Sequence, residues 1–221
     1  MADTRKYLYG VPFASPRVRI GFSYLYTPNS EGQFPSKKYE VSWRVPKSDT
    51  LFMSLIDTEV LKVFKDNVAK GMMLNTDINA IAKPYRDGDK VAEDKIRRVK
   101  ALKGDLEKAT KNAAYDRGHW LFKAKSKDKP IIFGYRKPAK AGDPSEAPLP
   151  EGLILEMNDE VRLSLQVGVY LLQEDLTEGF NLSFSKVQFM CKGQGGARSG
   201  ATFGNDEQAD AAEAAGPVTF E

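Results

Sequence analysis

The stretch Asn158-Asp-Glu-Val-Arg-Leu-Ser-Leu-Gln-Val-Gly-Val-Tyr170 decides the fold class. From Val161 every second residue is apolar: Val161, Leu163, Leu165, Val167, Val169 and then Leu171. Arg162, Ser164, Gln166, Gly168 and Tyr170 fall between them. A strict period of two over 160–172 predicts a long strand with one face in a core and the other turned outward. Residues 179–191 alternate likewise, with Phe180, Leu182 and Phe184 together, and Gln173–Gly179 joins the two as a hairpin.

Upstream the same period recurs. In 16–26 it places Val18, Ile20, Phe22 and Tyr24 on one face, with Arg17, Arg19, Gly21 and Ser23 on the other. In 38–45 it points Tyr39, Val41, Trp43 and Val45 inward, and Lys38, Glu40, Ser42 and Arg44 outward. Pro46-Lys47-Ser48-Asp49 then breaks the strand and supplies a helix cap. Phe52, Leu55, Ile56, Val60, Val63, Phe64 and Val68 follow at helical spacing to about Gly71. A second helix is expected from about Glu93 to Asp116, with Ile96, Val99, Leu102, Leu106, Ala109 and Ala113 as its apolar stripe, weakened at Gly104. Strands at 119–125 and 130–136 read as a hairpin around Ser126–Lys129, and the proline-rich 137–152 as a surface loop.

About six strands with helices inserted between the second and third predict a mainly β fold. Closure into a small antiparallel barrel or sandwich removes exposed edges; an oligonucleotide-binding (OB) barrel fits the count and the helical insertion, and the pattern alone does not separate it from another small barrel. The domain reading is a 1–192 barrel with a helical insertion at about 48–117, then a glycine-rich linker and acidic tail over 193–221.

Charge sharpens the functional reading. The chain of 221 residues is +3 overall, and 203–221 holds five acids and no Lys or Arg, which leaves +8 on residues 1–202. A cationic body with an anionic arm suits a polyanion as partner, nucleic acid above all. One cysteine, Cys191, excludes an internal disulfide, and one histidine, His119, leaves little for a zinc site or a histidine-based triad. The N-terminus lacks the apolar core of a secretory signal, and no apolar run is long enough for a membrane helix. No phosphate-loop motif occurs, and Gly193-Gln-Gly-Gly196 is not followed by a βαβ unit. The acid pairs Asp87/Asp89 and Asp159/Glu160 lie at turns without a partner cluster. Neither a catalytic residue, nor a metal ligand, nor a cofactor is assigned.

The candidate DNA-binding residues are the strand-face cations Arg17, Arg19, Lys38, Arg44, Lys123, Lys125, Arg136 and Arg162, with Tyr24, Tyr135 and Tyr170 as stacking rings. Cations neutralise phosphates and rings stack on unpaired bases of any identity. Trp43, Trp120 and Phe122 read as core. Two readings fit the lysines at 123, 125, 127 and 129: a phosphate track, or an edge strand guarded against aggregation.

Three segments carry a family likeness: Lys38–Asp49 leading into the amphipathic helix, Asn158–Tyr170 with its return strand Asn181–Met190, and Ala201-Thr-Phe-Gly204 opening the acidic arm. Their order and spacing resemble the phage-encoded single-stranded-DNA-binding proteins of the podovirus type. The resemblance implies an OB fold and sequence-tolerant ssDNA binding in phage replication and recombination, in the cytoplasm of an infected bacterium. It further implies a tail (Asp206, Glu207, Asp210, Glu213, Phe220) that contacts DNA polymerase and helicase-primase, and a possible homodimer. One departure is that Phe220 precedes a terminal Glu221, where such tails end on the aromatic residue. A virion component with a β-rich body and extended arm, an RNA-binding barrel and a metal-dependent nuclease are the competing classes.

Overall fold

A computed structural model describes residues 6–30, 35–138, 140, 145–172, 174 and 176–193. The elements run β1 (Phe13–Ala14), β2 (Val18–Tyr24), β3 (Tyr39–Pro46), α1 (Thr50–Ala69), β4 (Tyr85–Asp87), α2 (Gly88–Ala101), α3 (Leu106–Ala114), β5 (His119–Ser126), β6 (Ile131–Tyr135), β7 (Glu146–Ala147), β8 (Glu160–Leu172) and β9 (Thr177–Cys191).

Five strands form a closed circuit: β2 pairs with β3, β3 with β5, β5 with β9, β9 with β8, and β8 with β2. Numbered one to five along the chain, they read 1-2-3-5-4-1, the order of an OB barrel. The β5–β9 closure is parallel and the other four pairings are antiparallel. The β8–β2 seam is short, Val18↔Val161 and Arg19↔Glu160. The N-terminal segment covers the next part of that edge through Phe13↔Leu165 and a hydrogen bond from Gly10 N to Val167 O.

The inward face read for 160–172 holds from Val161 to Val169, though Ser164 is buried too and Leu171 only half so. Val161, Leu163, Leu165, Val167 and Val169 are buried against Phe180, Leu182, Phe184 and Val187 of β9. Asp49 caps α1 by accepting from Phe52 N at 2.9 Å. The helix buries Phe52, Ile56, Val60, Val63 and Phe64 in the same core, each side chain contributing about 1.5–3 kcal/mol. Asn67, fully buried on α1, accepts from Leu8 N and donates to Leu8 O, which fastens the N-terminal segment to the helix.

Three local expectations change. Phe22 and Tyr24 leave the inward face, because a bulge between Ile20 and Phe22 shifts the register: Ile20 still opposes Trp43, but Phe22 opposes Ser42 and Tyr24 opposes Glu40. The expected second helix is two helices. Lys103 adopts φ 52°, Gly104 N donates back to Val99 O, and Asp105 caps a new helix by accepting from Lys108 N. Leu102, read as part of a buried stripe, is 82% exposed at that turn. The 119–136 hairpin does not form. β5 and β6 lie in succession along one edge of β9, opposite Leu182–Ser183 and Lys186–Phe189, so they cannot face each other.

Candidate nucleic-acid interface

A cleft of about 1070 Å³ crosses the outer face of β2, β3 and β5. Its floor begins at Gly21, where Ser42 Oγ accepts from Phe22 N at 3.0 Å and donates to Phe22 O at 3.2 Å. These bonds hold the bulge and present Phe22, 49% exposed, with its ring edge-on to Tyr24 at 4.8 Å. A Cβ at position 21 would lie 3.2 Å from Ser42 O, so glycine suits this close approach of two strands. Arg44 and Lys123 extend the floor across β3 and β5. The opposite wall comes from the insertion: Lys83, Tyr85, Arg86, Lys95 and Tyr115. Met157, Asn158 and Gly193 line it near the end of the barrel.

The floor cations are paired. Arg44 Nε donates to Asp116 at 3.0 Å and Lys95 Nζ meets the other oxygen of the same carboxylate at 2.5 Å. Burial pushes the Asp116 carboxyl up, but hydrogen bonds from Lys95 and Arg44 with their charges hold it below the usual aspartate range. Lys123 and Lys125 both reach Glu40, at 2.5 and 3.3 Å, and Glu40 is 1% exposed. Burial alone would raise its carboxyl; hydrogen bonds from Lys123 and Ser36, and the charges of Lys123 and Lys125, bring it down to about 2. Arg19 pairs with Glu160 at 3.0 Å.

Thus Arg19, Arg44 and Lys123 of the sequence-selected set line the cleft, and Tyr24 stands beside it on Phe22. Lys125 is one outward position further along β5, tied to Glu40. Because β5 is paired on both edges, it is not a guarded edge strand. Lys38 precedes β3, where its carbonyl accepts from Asn29 N. A second group gathers away from the cleft: burial and the charge of Arg17 push the Arg162 guanidinium below its ordinary value, and nearby Tyr135 acts against them. Arg136, exposed, follows Tyr135 and donates its backbone N–H to Ser145 O. Tyr170 is half-buried and lies over Gly179, where a Cβ would come within 2.3 Å of its ring and hydroxyl. It packs across the hairpin. Asp206, Glu207, Asp210, Glu213 and Phe220 lie outside the described residues.

The sequence-selected set leaves out Phe22, Lys83, Arg86, Lys95 and Tyr115. A glycine inside an alternating strand is a bulge signal, so Gly21 could have revealed Phe22. The wall residues carried no comparable local signal. Trp43 and Phe122 are core, stacked at 5.3 Å. Trp120 is half-buried, with Lys47 Nζ 4.9 Å from its ring centroid. Asp87 and Asp89 both bind Lys47 Nζ at 2.7 Å, which lowers both carboxyls. Among the described residues no group of three or more His, Cys, Asp or Glu is placed to hold a metal. No described helix is long and apolar enough to cross a membrane.

A five-stranded OB barrel with cations and exposed rings along a cleft over its first three strands defines the class of oligonucleotide-binding barrels. Within that class the chain belongs to the family described as Enterobacter phage Enc34, ssDNA-binding protein, whose model matches residues 13–214. Its fold is similar to that of the single-stranded-DNA-binding protein from bacteriophage Enc34 with its C-terminus truncated. The TM-score is 0.50 at 16% identity, over 82% of this chain and 86% of that one. The same phage protein in complex with ssDNA is similar at TM-score 0.49 and 16% identity, over 86% of this chain and 88% of that one. The single-stranded-DNA-binding protein encoded by bacteriophage T7 is similar at TM-score 0.46 and 13% identity, over 92% and 94%. No curated protein matches the sequence.

Proposed function

We propose that this protein binds single-stranded DNA along the cleft, with little base selection, during phage DNA replication and recombination in the infected bacterial cell. One observation carries the reading: exposed Phe22 and the cations Arg19, Arg44 and Lys123 share one groove over β2, β3 and β5. Phosphates meet the cations and unpaired bases meet the ring, a combination that tolerates any sequence. The protein holds the strand and does not cleave it. Titrating the full chain with fluorescently labelled oligo(dT) across a salt series tests this. Affinity that falls linearly on logarithmic axes as salt rises supports it; no salt-dependent binding would leave the virion-component reading standing. Competition with an RNA oligomer of matching sequence decides the preferred sugar, and magnesium incubation reveals any cleavage.

The Arg17, Tyr135, Arg136 and Arg162 group, with Lys38, Lys125 and Tyr170, belongs to the same proposal as an outlying surface that a longer strand reaches. The tail is proposed to compete with DNA for the cleft and, once displaced, to dock polymerase, helicase-primase or a second copy of the chain. Supporting this, the last described residue, Gly193, lines the cleft, and its N–H donates to Asp159 at 3.0 Å. Deleting 203–221 should tighten oligo(dT) binding, most at low salt, where charge is least screened. Unchanged affinity at every ionic strength removes the competition model and leaves cleft binding intact.

A further inference from the structure

The insertion that forms the far wall of the cleft carries one paired cation, Lys95 on Asp116, and two whose charge is used differently from that of the floor. On the floor Arg44, Arg19 and Lys123 each face a carboxylate: Asp116, Glu160 and Glu40. On the wall Lys83 and Arg86 line the same cleft without an ion-pair partner among the described residues. A cation already matched by a carboxylate gains less from a phosphate than an unmatched one does, because less counterion release remains to be had.

The wall also brings a ring. Tyr115, 57% exposed at the end of α3, lines the cleft from the insertion as Phe22 lines it from β2. The wall is held in place on the barrel. β4 pairs with β5 at Tyr85↔Phe122 and Asp87↔Trp120, and Asp116 ties α2 to β3 through Lys95 and Arg44. Gly118 N donates to Asp89 at 2.9 Å. A surface fixed before the ligand arrives loses less entropy on binding.

The geometry points to the insertion as the second half of the binding surface: Lys83 and Arg86 take backbone phosphates, and Tyr115 stacks on a base, so that one strand is gripped between floor and wall. This rests on the single-strand reading above.

The test compares the full chain with K83A/R86A, the charge-keeping K83R/R86K, Y115A on the wall and F22A on the floor. Each binds labelled oligo(dT) by anisotropy over a salt series, with thermal melts to confirm folding. Loss of two phosphate contacts should reduce the slope of log affinity against log salt by about 1.4. K83R/R86K should restore it. Y115A should weaken binding by about 5- to 150-fold at fixed salt, the range for one stacked base. If F22A weakens binding while K83A/R86A and Y115A match the parent in affinity and slope, the wall is no part of the site and the floor reading survives. If the parent does not bind, both fall.

Discussion

Glu40 sits on the outward side of β3, yet it is 1% exposed beneath Lys123 and Lys125. Its carboxyl stands at about 2 against an ordinary 4.5. A carboxyl depressed by folding contributes stability that is complete above the unfolded value and is lost as pH falls toward the folded one. The pair should therefore weaken between about pH 4.5 and pH 2. Glu40→Gln should cost about 1–3 kcal/mol at pH 7, and urea melts of mutant and parent should converge as pH drops through that window. A gap that stays constant from pH 7 to pH 2.5 would show that the charge of Glu40 contributes nothing. Phe22 presents the opposite balance. Exposed on the cleft floor, it can be cut to alanine with little change in melting temperature, while oligo(dT) affinity falls by about 1–3 kcal/mol. An equal loss of stability would mark it as a packing residue.

At the scale of elements, the α2–α3 insertion depends on one tight junction. A Cβ on Gly88, the first residue of α2, would lie 2.0 Å from Asp116 O and 2.6 Å from His119 O. Neither backbone atom can yield cheaply. Gly88→Ala should destabilise the protein by about 1–3 kcal/mol, seen in denaturant melts; a neutral result would mean that the helix start can slide off β5. Asp116→Asn removes the charge that draws Arg44 and Lys95 together. Amide exchange should then speed up in α2 and α3 more than in β8 and β9, and uniform change across all four would refute a local role. The elements themselves were unequally legible. β8 and β9 could be read because a period of two holds whatever strand lies alongside. The split at Lys103-Gly104-Asp105 was written locally, as a left-handed residue, a glycine and a capping aspartate, but the apolar spacing ran through it and concealed the break. The β5–β6 arrangement could not be read, since a loop of suitable length implies a hairpin only when no other strand claims the edge.

The whole molecule decides the electrostatics. Among the described residues the cleft draws six cationic side chains and a single acid from elements between Arg19 and Lys123. Much of that charge is answered by Glu40, Asp116 and Glu160. The salt slope of oligo(dT) binding should therefore report fewer phosphate contacts than a tally of lining cations, with each contact worth about 0.7. With an oligo(dT) short enough to occupy the cleft alone, a slope magnitude of about 4.2 would require every one of the six to act, and would contradict the pairing. From sequence alone came the mainly β class, the inward faces of β3, β8 and β9, the capped helix α1 and the contrast between cationic body and acidic arm. Each of these is a property of neighbours along the chain, expressed as a period, a cap or a local charge. Closure of the barrel through the parallel β5–β9 pair, the outward turn of Phe22 and Tyr24, and the meeting of Lys83, Arg86 and Tyr115 with the strand floor were decided only in three dimensions. They depend on which distant segment occupies each edge and which carboxylate reaches each cation, and spacing along the chain carries no record of either.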